Sequence, residues 1–221
     1  MKKVTCAIGA LLVLALLGGC ATTRGYTTLT VPQPAAILSP DPGKVVVIDA
    51  VQDAREFRAH PGDPSIPSLK SGEQYQLDAE HRGIAIGRKR NTWGRAMGDW
   101  VLKDGQTVES LTRELVSTTL RSLGYTVGDA GSAVAGSEHV NVVIDQFWAW
   151  FTPGLWTATI EAKVKTHIQF SGPFGNKAVD VTGYGRNQIQ TGREANWQLA
   201  YDRAFKGYEN NLRQAMDNST R

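Results

Sequence analysis

Thiols are scarce in this 221-residue chain, whose two cysteines, Cys6 and Cys20, both fall in its first 20 residues. From Ala21 onward there is no disulfide, no thiolate metal site and no cysteine nucleophile, so stability there must come from a core. A strong charge imbalance is lacking too. Lys plus Arg number 24 and Asp plus Glu 21, and no global basic field argues for nucleic acid as a partner. The apolar run Cys6 to Leu17 is shorter than the ~20 residues that a helix needs to cross a bilayer core. His60, His81, His139 and His167 show no metal-ligand spacing, whereas a zinc site needs three or four convergent ligands. The Gly-x-Ser-x-Gly, His-Glu-x-x-His, Ser-x-x-Lys and phosphate-loop signatures are all absent. Asp145 and Glu161 are close enough in a hairpin pattern to pair, but two acids on a sheet do not supply a nucleophile, base and orienting group together. The expectation is a protein without catalytic residues, metal or cofactor.

What is present begins with Lys2 and Lys3, then the apolar run, then Gly18 and Gly19 closing on Leu17-Gly18-Gly19-Cys20. A positive end, a short apolar stretch and small residues are the three parts of a secretory signal. The tetrapeptide is lipobox-like, and the segment resembles the precursors of bacterial lipoproteins. That resemblance implies that residues 1–19 are a signal peptide and that Cys20 becomes the lipidated first residue of the mature chain. Ala21 follows where lipoprotein residents of the inner membrane usually carry Asp, so the implied address is the periplasmic face of the outer membrane. Without Lys2 and Lys3 the balance is 22 Lys plus Arg against 21 Asp plus Glu.

Residues 20–43 carry five threonines and Pro32, Pro34, Pro40 and Pro42 without helical or strand periodicity, and read as an extended tether. Residues 44–217 then read as one periplasmic domain. Lys44 to Val51 is a β-branched run, expected as a strand buried on both faces, which Asp53, Arg55, Glu56 and Arg58 end in water. Residues 59–105, with Pro61, Pro64 and Pro67, read as a long insertion in which Ile84 to Ile86 and Trp93 to Leu102 dock as short apolar pieces. Thr107 caps a helix carrying Val108, Leu111, Leu115 and Thr119 on one stripe, and Gly124 stops it. Tyr125 to Val127 is a short strand and residues 129–137 a loop. Val140 to Phe151 and Trp156 to Phe170 are the clearest strands, the second alternating apolar and polar residues. Val179 to Gln188 is a strand weakened by Gly183 and Gly185, and Ala195 to Met216 an amphipathic helix. This order predicts an α+β fold: a two-layer sandwich with a mostly antiparallel sheet and two helices on one face.

From Lys44 to Met216 the chain resembles the YajG-like family of bacterial lipoproteins. The likeness runs through Leu111 to Leu115, Leu120 to Val127, Val140 to Ile144 and the closing helix, and implies an envelope lipoprotein rather than an enzyme. The insertion at 59–105 departs from the family's compact pattern.

Two clusters are candidate contact surfaces. Arg82, Arg88, Lys89, Arg90 and Arg95 form a basic patch suited to anionic lipid headgroups, lipopolysaccharide or peptidoglycan carboxylates, against the plainer reading of a solvated loop. Trp148, Trp150, Phe151 and Trp156 surround a hairpin loop. An even-length loop places Phe147, Ala149 and Phe151 on the dry face and Trp148 and Trp150 on the wet one, and an odd loop inverts this. Either way something covers the second face: the insertion, a partner chain or the membrane interface. The expected function is a non-catalytic binding or assembly accessory of the cell envelope, anchored through Cys20. An auxiliary lipoprotein of a transport system, holding an apolar ligand beneath the aromatic hairpin, is the alternative. Expected partners are the membrane and another envelope protein, peptidoglycan or lipid.

Overall fold

The computed structural model describes residues 24–34, 37–69, 78–91, 93, 95–133, 135–154, 157–173, 175–189 and 194–217. The expected signal peptide, residues 1–19, and Cys20 lie outside the described residues. The strands are β1 (Gly25–Thr27), β2 (Val45–Asp53), β3 (Ala85–Arg90), β4 (Ala96–Leu102), β5 (Thr126–Asp129), β6 (Glu138–Thr152), β7 (Ala158–Ser171) and β8 (Lys177–Ile189). The helices are α1 (Ala79–Ile84), α2 (Val108–Ser122) and α3 (Glu194–Asp217). Among the described residues the fold is α+β, with three helices and one eight-stranded mixed sheet. The sheet is mixed: β6–β7, β7–β8 and β3–β4 pair antiparallel, and β1–β4, β2–β5, β2–β6 and β3–β6 pair parallel.

The sheet is organised on β6. One of its edges pairs with β7 from His139↔Ser171 to Thr152↔Thr159. The other edge is shared, with β2 alongside Glu138 to Ile144 and β3 meeting it at Ala149. Between those two partners the sheet forks, and the backbone there loses its ladder. Arg55 fills the gap. Its guanidinium donates to the carbonyls of Ala85 (2.7 Å), Phe147 (2.8 Å) and Arg82 (2.5 Å), and is held by both carboxylate oxygens of Asp53 (2.8 and 2.7 Å). A planar fork of donors suits that task. Arg55 is therefore buried, not solvated as its sequence neighbours suggested.

β6 also carries a bulge, its register shifting between Ile144 and Gln146. Asp145 turns out to Lys165, 3.0 Å away. The extra residue reverses which alternate positions face inward. Val140, Val142 and Ile144 therefore share the main core with Phe147 and Ala149, while Trp148 joins a second, smaller core. The apparent two-faced apolarity of this strand is one dry face read through a phase change.

Helices follow their local signals. Thr107 and Ser110 form a reciprocal capping box at the start of α2. At its end Gly124 takes φ 85°, with Tyr125 N–H on the Leu120 carbonyl and Gly124 N–H on that of Arg121, a Schellman ending. The apolar stripe of α3 buries Trp197, Tyr201, Phe205, Tyr208 and Leu212, and Phe147 stacks on Tyr201 at 5.2 Å. Gly183 and Gly185 serve this contact. A Cβ on Gly185 would stand 1.9 Å from the Ala200 carbonyl, and one on Gly183 2.1 Å from that of Ala204. Along β8, α3 side chains also reach backbone acceptors: Asn211 donates to the Thr182 carbonyl (2.6 Å) and Arg203 to that of Arg186.

Two stretches expected to be irregular are structured. In the expected tether, β1 pairs with β4, and Thr27, Leu29 and Val31 are buried. The Gln106 side chain grips both backbone groups of Leu29 (2.9 and 2.8 Å). In the expected insertion, β3 and β4 form a hairpin, and residues 57–69 lie across the second face of the sheet, where Leu69, Ala85, Val101 and Trp148 cluster with Phe57.

Candidate functional site

The basic patch of the sequence is divided by strand alternation. Arg88 and Arg90 point to one face of β3 and Lys89 to the other. Lys89 sits over the Trp100 ring, 4.7 Å from its centre, and burial pushes its ammonium pKa down against the opposing pull of Asp99 and Glu194. Arg82 lies apart, lining a cavity of about 170 Å³ at the sheet fork with Asp53, Arg55 and Glu109.

Arg88 and Arg90 instead converge with Arg95 and His60 on a pocket of about 260 Å³, walled by Ala59, Pro61 and Ala96. Chain order assembles it simply. β3 supplies two arginines, the turn into β4 supplies Arg95, and the covering segment lays His60 across from them. Arg88 is 8% exposed; its Nε has no hydrogen-bond acceptor and stands 3.9 Å from Asp99, its cross-strand neighbour. Burial lowers the pKa of Arg88, with Asp99 opposing and Arg90 adding to the shift, and burial alone lowers that of Arg90. Cations whose charge is penalised by desolvation are relieved by an incoming anion. The arrangement is suited to holding a phosphate, sulfate or carboxylate. The signal for it in the sequence was the Arg-x-Arg spacing, which puts both side chains on one strand face.

The aromatic cluster is not an open surface. Trp148 is fully buried, packs edge-on against Phe57 at 5.9 Å and donates its indole N–H to the Pro64 carbonyl (3.3 Å). Gln146 ties the same cover down through the Ser65 carbonyl (3.1 Å). Of the three coverings considered, the 57–69 segment is the one over Trp148. Trp150 and Phe151 are half-buried, packed against the small and the main core respectively, and Trp156 lies outside the described residues. The Phe147, Ala149 and Phe151 face is the dry one, with Phe151 opposite Ile160.

Three histidines pair with acidic side chains: His81 with Asp78, His139 with Asp49 (3.0 Å) and His167 with Asp180 (3.0 Å). Among the described residues no three His, Cys, Asp or Glu side chains gather as metal ligands. Asp145 and Glu161 do not meet. Glu161 accepts from Thr152 (2.5 Å) and from the Tyr184 hydroxyl.

No protein-family model matches the chain, and no curated protein does. Among solved structures it is similar to an uncharacterised protein, at 8% identity over 88% of this chain and 98% of that one, with a TM-score of 0.43. A Xanthomonas campestris protein of the DUF330 family covers the same shares at 11% identity and a TM-score of 0.45. A neuraminyllactose-binding hemagglutinin homologue from Helicobacter pylori covers 86% of this chain and 96% of its own at 11% identity, with a TM-score of 0.28. Likenesses this distant carry no functional inference.

Proposed function

We propose that this chain is an outer-membrane-anchored periplasmic lipoprotein of YajG-like kind, acting as a non-catalytic binding or assembly accessory of the cell envelope. Its binding site is the pocket of His60, Arg88, Arg90 and Arg95, and its ligand carries an anionic group. The observation that carries this reading is the convergence of three arginines on one concavity, two of them desolvated by the fold. Arginine's planar donors match the oxygens of phosphate and carboxylate in pairs. Phe57 and Leu69 pack with Trp148, which favours the anionic ligand over the apolar one. In this reading α2 and α3, which share one apolar core with the sheet, form the second layer of a two-layer sandwich.

Calorimetric titration with glycerol phosphate tests the pocket. Saturable binding that Arg95→Gln weakens and that fades with added salt is expected, and heats unchanged by Arg88→Gln and Arg95→Gln together would refute it. Cell fractionation tests the anchor: Cys20→Ala is expected to leave the outer-membrane fraction. Equal membrane recovery of both forms removes the lipoprotein reading.

A further inference from the structure

The turn between β3 and β4 presents the most exposed large apolar side chain among the described residues, Trp93, at 89%. The Asn91 carboxamide oxygen accepts from the Trp93 and Arg95 backbone N–H groups (3.0 and 2.9 Å), and Asn91 N–H returns to the Arg95 carbonyl (3.0 Å). Two cations of the pocket flank Trp93 in the chain, Arg90 three residues before and Arg95 two residues after. An indole on a cationic rim is the side-chain pairing that bilayer interfaces select, with the amphipathic ring at headgroup depth and arginines on the phosphates.

The position of the N-terminus points the same way. β1 runs parallel to β4, with Gly25 beside Trp100 and Thr27 beside Leu102, so both strands lead away from the turn. The axis of β1, extended backward from Gly25, points along β4 toward that turn. Ala96, the first residue of β4, is four residues before Trp100, or ~13 Å at strand spacing. Cys20 is five residues before Gly25, a reach of at most ~17 Å. That contour length is enough to span the distance from Gly25 to the level of the turn.

We propose that the β3–β4 turn is a membrane foot. Trp93 enters the interface of the same bilayer that holds the acyl chains on Cys20, and the pocket of His60, Arg88, Arg90 and Arg95 receives that bilayer's phosphate headgroups. The proposal rests on the lipoprotein reading above. Anchoring makes the contact intramolecular, so a weak headgroup affinity suffices to hold the domain against the surface.

The test uses the full lipidated protein reconstituted into vesicles of brominated phosphatidylglycerol or brominated phosphatidylcholine, with tryptophan quenching read for wild type, Trp93→Phe and Arg95→Gln. In phosphatidylglycerol, wild type is expected to be quenched more than Trp93→Phe. That excess is expected to fall about five-fold for Arg95→Gln, the factor one basic side chain contributes near an anionic surface, and to fall likewise in phosphatidylcholine. Unchanged melting temperatures for both variants establish that the fold is intact. Acyl chains present on Cys20 by intact mass with no quenching excess overturns the foot alone. Acyl chains absent overturns the lipoprotein reading and the foot with it. Capture of wild type but not Arg95→Gln by peptidoglycan sacculi, without a quenching excess, assigns the cations to wall carboxylates and overturns the membrane contact.

Discussion

The two faces of β6 are covered by different means. One lies under α3, whose Tyr201 and Phe205 meet Phe147 at 5.2 and 5.9 Å. The other lies, around Trp148, under the irregular segment 57–69, where Phe57 meets the Trp148 ring and the Gln146 and Trp148 side chains donate to the segment's backbone. Periodic cover buries a long stripe of the sheet; aperiodic cover buries a point and leaves concavities beside it. The arginine pocket opens where that cover passes the β3–β4 hairpin, and the second cavity where it begins, at Asp53 to Phe57. Both cavities border this irregular cover, the second one also lined by Arg82 of α1 and Glu109 of α2.

The largest effect is expected where the two regions join. Arg55→Ala leaves three carbonyls and the Asp53 carboxylate without their partner, and is expected to cost about 5 kcal/mol, the upper end for a broken buried pair. Urea denaturation measures it. Arg55→Lys is expected to recover only part, since one ammonium cannot span the three acceptors.

The comparison itself is sharpened by cutting each face in turn. Phe147→Ala is expected to lose about 4 kcal/mol, and Trp148→Ala about 3 with a new protease site within 57–69, because the looser cover collapses more readily into the space left. Equal losses with no new cleavage would break the distinction between the faces. On the helical face, Gly185→Ala is expected to cost about 1 to 3 kcal/mol by forcing α3 off the sheet, read as a lowered melting temperature.

The smallest effect is one of pH. Burial, then the hydrogen bond to Glu161, pushes the Tyr184 hydroxyl up to about 12 from an ordinary 10.0. A raised folded value means that the native state holds this proton more tightly. Its contribution is complete below about pH 10 and is lost as the pH climbs toward the folded value. Tyr201 and Tyr208 are raised in the same direction by burial, so wild type and Tyr184→Phe both weaken in alkali. Denaturation at about pH 9 and about pH 11.5 is expected to show the larger drop for wild type.

Legibility in the sequence follows the same division. β7, α2 and α3 were readable because a single buried face imposes a period on many residues. β1 was missed although Thr27, Leu29 and Val31 alternate with exposed neighbours, since three threonines and nearby prolines outweigh so short a pattern. β3 was hidden by its charges: Arg88 and Arg90 line a pocket and Lys89 covers Trp100. The bulge at Asp145 was invisible because one inserted residue leaves composition untouched while reversing the phase of everything after it. Arg55 looked solvated because its partners, Ala85 and Phe147, are 30 and 92 residues away. Trp148 looked like a contact surface because its cover has no periodicity of its own.

The side chains that α3 extends to β8 have a consequence for molecules that meet in solution. An outermost strand normally offers its free carbonyls as a template on which another chain can add. Here Asn211 and Arg203 already occupy the acceptors of Thr182 and Arg186. An incoming strand would have to displace two donors before its first rungs could form, and self-association along this edge is discouraged by the helix that completes the core.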